Sequence, residues 1–205
     1  MNNDKITEMF FKIFTGDATR STGYEEGEFY YEGGECGRGD TPYFTKIPPI
    51  FSTYDKLEKV TIMFSEIRKI ENLPPNIIYL NISNNKIKKI ENLPSKITYL
   101  NLTKNNISKI ENLPSSITDL NISFNKITKI ENLPSSITDL NISFNEITKI
   151  ENLPSKITGV NISYNKISKI ENLPQFLNKL KIINTNISKI DIENLPSSIK
   201  KLNTS

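Results

Sequence analysis

A unit of 20 residues recurs along most of this chain. It is clearest from Ile117 to Ser136, and residues 137–155 nearly copy it. Seven such units follow one another from Leu57 to about Ser198. A fixed period of this length is typical of solenoids, in which each unit stacks on the next around one continuous core. The sequence therefore predicts an array that grows lengthwise, with residues 57–198 as its body.

The apolar pattern of one unit indicates short strands rather than helices. In the unit that starts at Ile97, the apolar residues are Ile97, Leu100, Leu102, Ile107, Ile110 and Leu113. The spacing of two between Leu100 and Leu102 places both on one face of a strand, and no helical period follows. Proline occurs once per unit, at positions 74, 94, 114, 134, 154, 174 and 196. We expect a strand, a turn and an extended return in each coil.

An asparagine follows the second apolar residue of the strand by three positions. It is present in five successive units, as Asn85, Asn105, Asn125, Asn145 and Asn165. A buried amide must be hydrogen-bonded, and its donor and acceptor can reach the backbone of its own turn and of the next coil. These residues therefore predict a structural asparagine ladder. Ser65 and Thr185 replace the asparagine in the first and last full units.

These residues carry a resemblance to a known family. Leu100, Leu102, Asn105 and Ile107 resemble the leucine-rich repeat pattern L-x-x-L-x-L-x-x-N-x-L. The segments 112–117 and 132–137, both Asn-Leu-Pro-Ser-Ser-Ile, are similar to the 20-residue bacterial-effector subclass, whose units carry L-P-x-x-L. Lys-Ile-Glu-Asn-Leu at 89–93 is also similar to protein phosphatase regulators, whose repeats are two residues longer. The near-identical units and the composition resemble leucine-rich repeat proteins of giant DNA viruses of amoebae.

The resemblance implies a fold class for residues 57–198. This is an α/β-type solenoid that is mostly β, a leucine-rich repeat array with a parallel concave sheet, an extended convex side and a small N-terminal cap. The ubiquitin-ligase members of the effector family carry a separate catalytic domain with a nucleophilic cysteine. The sequence contains no such domain, so we do not expect that activity here.

The two ends depart from the repeat. Residues 1–56 predict an N-terminal helix over about 4–16, with a Gly-rich hairpin or loop over 24–46, and together these would cap the first coil. A membrane or partner role for the amphipathic helix is the alternative. Residues 199–205 predict a partial terminal repeat. Its apolar end, without a cap, predicts self-association at the C-terminal end or a partner that docks there.

Composition disfavours several classes of function. The net charge is only +3, with Lys and Glu interleaved, so a nucleic-acid partner is not favoured. The chain has no His, and its one cysteine, Cys36, cannot form an internal disulfide. Residues 1–5 are polar and no signal peptide or membrane span follows, so we expect an intracellular protein. A cytoplasmic location is the default, in the host cell if the protein is viral.

No catalytic constellation is visible in the sequence. There is no His base, metal cluster, P-loop or dinucleotide turn, so we expect neither enzymatic activity nor a cofactor. Asp119 and Asp139 would stack one coil apart and could bind a cation, but two solvated acids in copied units are the simpler interpretation. Cys36 and Arg38-Gly39-Asp40 are interpreted as ordinary loop residues. The Asn-x-Ser/Thr triplets at 81, 101, 121, 141 and 161 are interpreted as a polar ladder on the open sheet face.

The strand residues that face away from the core form three rows. The first comprises Tyr79, Tyr99, Asp119, Asp139, Gly159 and Lys179, and the second comprises Asn81, Asn101, Asn121, Asn141, Asn161 and Lys181. An exit row, where the strands end, comprises Asn84, Lys104, Phe124, Phe144, Tyr164 and Asn184. The first and exit rows vary while the framework does not, and aromatics are enriched at interface hot spots. The candidate partner-binding residues are therefore Tyr79, Tyr99, Asp119, Asp139, Phe124, Phe144, Tyr164, Lys179 and Lys181.

The sequence supports a ranked set of functions. We expect a non-catalytic protein–protein interaction scaffold that binds a host or cellular protein through its concave face. A regulatory subunit of a phosphatase or other enzyme is the alternative, and a nucleic-acid binder is the weaker alternative. Charged rows such as Lys129, Glu131, Lys149 and Glu151 are interpreted as a solvated outer face with ion pairs between coils.

Overall fold

A computed structural model describes residues 22–25, 28–32, 45–187 and 195–204. The predicted N-terminal helix, Cys36 and Arg38-Gly39-Asp40 lie outside these residues. The division of the chain at residues 56 and 198 stays a prediction. Among the described residues, no helix is both long enough and apolar enough to cross a bilayer.

The N-terminal part of the described chain contains three strands and one short helix. Strand β1 spans Thr22–Glu25 and β2 spans Glu28–Glu32, and they pair as an antiparallel hairpin. A 3-10 helix follows at Pro49–Thr53, and β3 spans Lys59–Met63. The hairpin extends the sheet at its N-terminal edge, because β2 pairs in parallel with β3.

The remaining strands are three residues long and follow one another at the spacing of the repeat. They are β4 Tyr79–Asn81, β5 Tyr99–Asn101, β6 Asp119–Asn121, β7 Asp139–Asn141, β8 Gly159–Asn161, β9 Lys179–Lys181 and β10 Lys201–Asn203. All ten strands form one sheet in chain order, and β2 to β10 are parallel neighbours. The predicted solenoid with a parallel sheet is thus confirmed.

The constant period sets the register of the sheet. Leu80 pairs with Leu100, which pairs with Leu120, so each residue meets its equivalent one coil away. Leu180 instead pairs with Leu202, 22 positions later, because two residues, Asp191 and Ile192, are inserted in the last coil. Equivalent side chains therefore form straight rows along the solenoid, and a row on the surface can act as one feature.

The core is a column of isoleucines and leucines. In one coil, Ile97, Leu100, Leu102, Ile107 and Ile110 are all fully buried, and the same positions are buried in the neighbouring coils. Burying such a side chain completely contributes about 1.5–3 kcal/mol. Leu113 departs from the predicted set because it is only half-buried against the edge of this column.

Two turns in each coil use left-handed backbone. The exit row has φ near +50°, including 54° at Phe124, and the asparagine of Lys-Ile-Glu-Asn-Leu has similar values, such as 53° at Asn112. Left-handed backbone is costly for most L residues, while asparagine tolerates it. This explains Asn at the second turn in every coil from Asn72 to Asn172, but it does not explain large aromatics at the first.

Candidate partner-binding surface

The asparagines of the repeat hold the coils together. The Nδ2 atom of Asn105 donates to Leu102 O in its own turn and to Ile82 O in the preceding coil, each at 3.1 Å. Its Oδ1 accepts the N–H of Ile87, also in the preceding coil, at 3.0 Å. Equivalent bonds are made by Asn85, Asn125, Asn145 and Asn165. The amide thus ties its own turn to the coil before it, whereas the sequence interpretation pointed to the coil after it.

A second set of asparagines, which sequence reasoning missed, braces the other turn. Asn112 donates from Nδ2 to Ile90 O at 3.1 Å, and Asn92 donates to Ile70 O at 3.0 Å. Asn72 and Asn132 make the equivalent bond. The available signal was an asparagine at the same position before Leu-Pro in each of these units.

The first row begins with two stacked tyrosines. The rings of Tyr79 and Tyr99 are stacked. Their centroids lie 4.4 Å apart and their planes are nearly parallel, with an interplanar angle of 4°. Both side chains are half-buried on the sheet face that points away from the core, which we call the concave face. Burial raises the pKa of the Tyr99 hydroxyl, and the neighbouring Tyr79 and Asp119 raise it further. The pair therefore presents a stiff, neutral aromatic block.

Two aspartates follow in the same row. Asp119 is half-buried and accepts a hydrogen bond from Thr118 Oγ1 at 2.7 Å, whereas Asp139 is exposed. Desolvation raises the pKa of the Asp139 carboxyl, the charge of Asp119 raises it further, and Lys179 opposes both. No group of three or more potential metal ligands occurs among the described residues. The pair is therefore an acidic patch in which Asp139 is the carboxyl with the raised pKa.

Lysines lie at the C-terminal end of the first and second rows. Lys179 and Lys181 on β9 are exposed, and Lys201 on β10 extends the row by register. Within the described part of the chain, none of these lysines, and neither aspartate, forms an ion pair. The concave face thus changes from aromatic to acidic to basic along the solenoid.

The amides of the second row form a row in register, and each also bonds within its own turn. Asn121 Oδ1 accepts the N–H of Ser123 at 3.2 Å and its Oγ–H at 2.8 Å, so the amide closes its own turn. Asn101, Asn141 and Asn161 also accept the N–H two residues later. These side chains are half-buried rather than fully exposed, because the turn that follows the strand folds back toward them.

The exit row contains a stack of three aromatic rings. Phe124 and Phe144 lie 3.9 Å apart between centroids, and Phe144 and Tyr164 lie 4.0 Å apart. The Nζ atom of Lys104 lies 5.6 Å from the centroid of Phe124, within range of a cation–π contact. The three rings remain 36–40% exposed. They pack on one another and also present an apolar ridge beside the concave face.

The concave face contains a shallow depression of about 400 Å³. Its lining extends from Tyr99 across Asp119, Asp139 and Gly159 to Lys179 and Lys201. Six of the nine candidate residues from the sequence lie in the first row or on β9, and they share this face with the depression. Phe124, Phe144 and Tyr164 are grouped separately, on the ridge.

Charges elsewhere on the surface are arranged differently. Lys86 pairs with Glu66 at 3.7 Å and Lys166 pairs with Glu146 at 3.1 Å, both between neighbouring coils. Lys169 pairs with Glu171 in its own coil. The ion pairs between coils thus lie one position after the ladder asparagine, rather than in the rows of Lys129 and Glu131, where the sequence interpretation placed them.

Solved structures with a similar fold include several bacterial proteins. YopM of Yersinia enterocolitica has a TM-score of 0.58 and 25% identity over 74% of this chain and 38% of its own. A Shigella effector leucine-rich repeat domain has a TM-score of 0.57 and 24% identity, covering 65% and 62%. InlJ of Listeria monocytogenes has a TM-score of 0.59 and 21% identity, covering 81% and 42%.

These likenesses define the class of the fold. The chain has a leucine-rich repeat fold, and it spans less than two thirds of the length of each of these structures. The sequence matches no protein-family model and no curated protein.

Proposed function

We propose that this protein is a non-catalytic scaffold that binds a host or cellular protein through its concave face. The observation that carries the proposal is the stacked pair of Tyr79 and Tyr99, which shares one sheet face with Asp119, Asp139 and Lys179. Among the described residues, Asp139, Lys179 and Lys181 form no ion pair. Unpaired charges beside a stiff aromatic pair are typical of an interface, in which the partner supplies the missing contacts.

The exit row supports the same surface. Phe124, Phe144 and Tyr164 hold left-handed backbone, a conformation that costs a bulky residue about 1–2 kcal/mol, and their rings remain partly exposed. Stacking stabilises the fold by about 0.5–1.5 kcal/mol per ring pair. The net contribution of these three residues to the stability of the fold is therefore small. Strained residues kept at a surface are a reason to infer function there. A partner that covers the ridge would bury the exposed parts of these rings.

The kind of partner is inferred from the effector-like units. The units resemble bacterial effectors, and the similar Shigella structure is an effector domain by its title. A host-cell protein is therefore the proposed partner, with a cytoplasmic site of action and a viral or amoebal source as parts of the same proposal. The phosphatase-regulator alternative predicts a copurifying enzymatic activity.

Affinity purification with matched variants tests the proposal. The wild-type chain, the Tyr79→Ala/Tyr99→Ala variant and the outer-face control Lys129→Glu/Lys149→Glu would each be used as bait in an extract of the native cell. We expect a protein that is retained by the wild type and the control and is lost from the concave variant. Loss from the control alone would place the interface on the outer face and overturn the proposal.

A further inference from the structure

The charges of the concave face are segregated along the solenoid. Asp119 and Asp139 are neighbours on β6 and β7, while Lys179 and Lys181 lie on β9 and Lys201 lies on β10. Like charges on directly opposed positions destabilise a sheet. This arrangement therefore adds nothing to the stability of the sheet, and it differs from the outer face, where Lys and Glu alternate along the chain, as at Lys129 and Glu131.

The carboxylate of Asp139 extends toward the basic end of the row. Gly159 has no side chain, and it lies between Asp139 and Lys179 in register. The carboxylate of Asp139 occupies the space that a side chain at position 159 would fill. A ligand on the depression therefore meets an acidic group at β8 and basic groups on β9 and β10.

The distance between the groups sets the spacing of a ligand. Neighbouring strands are about 4.8 Å apart, so β7 and β9 are separated by about 10 Å and β6 and β9 by about 14 Å. An extended polypeptide rises about 3.3 Å per residue, so four residues span about 13 Å, and this even spacing keeps both side chains on one face. A segment that runs along the solenoid can therefore place one charged side chain at each group.

We propose that the concave face recognises an extended polypeptide segment with a basic side chain and, four residues away, an acidic side chain. The basic group, preferentially an arginine, binds Asp119 and Asp139, and the acidic group binds Lys179 and Lys181. This inference rests on the proposed function and names the chemistry of its partner. A polyanion such as RNA is disfavoured, because the aspartate pair repels phosphates at the centre of the face.

Tyr99 adds a reason for arginine at the acidic group. Tyr99 is the register neighbour of Asp119, and its stacking partner Tyr79 lies on its other side. A guanidinium bound to Asp119 can therefore also contact the ring of Tyr99, since arginine combines bidentate hydrogen bonding with stacking on aromatic rings. Lysine offers only a point charge, so the structure favours arginine at this position.

Peptide selection tests the inference directly. A phage-displayed library of random linear 12-residue peptides would be selected on the wild-type chain, and the enriched peptides would be synthesised with a fluorescent label for anisotropy. We expect enrichment of peptides in which Arg and Asp or Glu are four residues apart. Peptides of the same composition with the two charges adjacent would bind more weakly, because they cannot reach both groups.

Charge-neutralised variants identify the site of binding. Asp139→Asn/Lys179→Gln removes one acid and one base from the concave face, and Glu131→Gln/Lys129→Gln removes the same charges from the outer face. We expect the concave variant to weaken binding about fivefold to tenfold and the control to leave it unchanged. Circular dichroism would verify that both variants keep the fold.

Each outcome is decisive for the inference. Enriched peptides of one charge sign, peptides without charge preference, or no enrichment would overturn it. Equal weakening in the outer-face control would overturn it as well. The proposed function would still hold if peptides without charge preference lost binding in Tyr79→Ala/Tyr99→Ala, so the two failures are distinguishable. Tight binding of a labelled single-stranded RNA that is lost in Lys179→Gln/Lys181→Gln would show that the ligand of this face is a nucleic acid and not a polypeptide.

Discussion

The carboxylate of Asp139 lies over Gly159, in the space that a side chain at position 159 would fill. The two residues are register partners on β7 and β8. Because Gly159 has no Cβ, Asp139 can lean away from the like charge of Asp119 and toward Lys179. The glycine therefore lowers the cost of keeping two adjacent acids in one row.

The adjacent acids predict a specific pH dependence of stability. The folded state raises the pKa of Asp139 above its unfolded value, so the folded chain binds this proton more tightly than the unfolded chain. The contribution of Asp139 to stability is therefore largest below the unfolded pKa and decreases as the pH rises through the folded pKa. We expect Asp139→Asn to gain stability relative to wild type as the pH is raised from 3 to 7.

Urea unfolding of both proteins across this range measures the effect. The control is the same substitution in an Asp119→Asn background, where the difference should shrink because the charge of Asp119 is one of its causes. A difference that stays constant with pH, or that has the opposite sign, would contradict the burial and charge assignment of Asp139.

Two asparagines of one coil should differ in their contribution to stability. Asn125→Ala removes donors to Leu102 O, Ile122 O and Ser123 O and leaves the N–H of Ile107 without its acceptor. A fully buried group left unpaired costs about 1–3 kcal/mol, and because Asn125 is only half-buried we expect the lower end of that range for each group. Asn121→Ala affects only bonds within its own turn and should cost less. Denaturant unfolding of both variants checks this order, and equal losses would contradict the roles of the two rows.

The second asparagine row predicts a reversal of the usual order of alanine and glycine. Glycine in regular structure is ordinarily less favourable than alanine by about 0.5–1 kcal/mol. At Asn112 the backbone has φ of 53°, which glycine adopts freely and alanine does not. Both substitutions lose the bond to Ile90 O, but Asn112→Ala should be about 1 kcal/mol less stable than Asn112→Gly. Thermal unfolding of the two variants provides the comparison, and a more stable alanine variant would show that the turn relaxes.

The repeat made much of this fold predictable, for a physical reason. A constant period of 20 residues requires equal coils. Each residue, such as Leu100, Leu102 or Asn105, therefore had to lie next to its equivalent in the neighbouring coil. The handedness of the turns was not predictable in this way, since Phe124 gives no local signal for left-handed backbone. The orientation of Asn121 was also missed, because its partner Ser123 lies in the turn and not in the next coil. Rows follow from periodicity, whereas contacts inside a turn depend on its dihedral angles.

Self-association at the C-terminal end stays a prediction. In the part of the chain that the structure describes, β10 pairs with β9 alone, and Leu202 on β10 is 39% exposed. An unpaired strand edge next to apolar surface favours pairing with another chain. We expect the sedimentation coefficient to rise with protein concentration and Leu202→Lys to suppress this rise. A wild-type sedimentation coefficient that does not depend on concentration would show that this edge does not associate.

The stacked tyrosines should anchor a concave-face partner. Tyr79 and Tyr99 already hold each other in a fixed orientation, so binding orders them at little cost in side-chain entropy. We expect Tyr79→Ala/Tyr99→Ala to weaken the binding of a purified partner by at least about 2 kcal/mol, with the fold retained. Isothermal titration calorimetry measures the affinity, and Lys129→Glu/Lys149→Glu is the control, which should be nearly silent because those lysines lie on the outer face. A large loss in the control with an unchanged tyrosine variant would place the energy of binding on the opposite side of the solenoid.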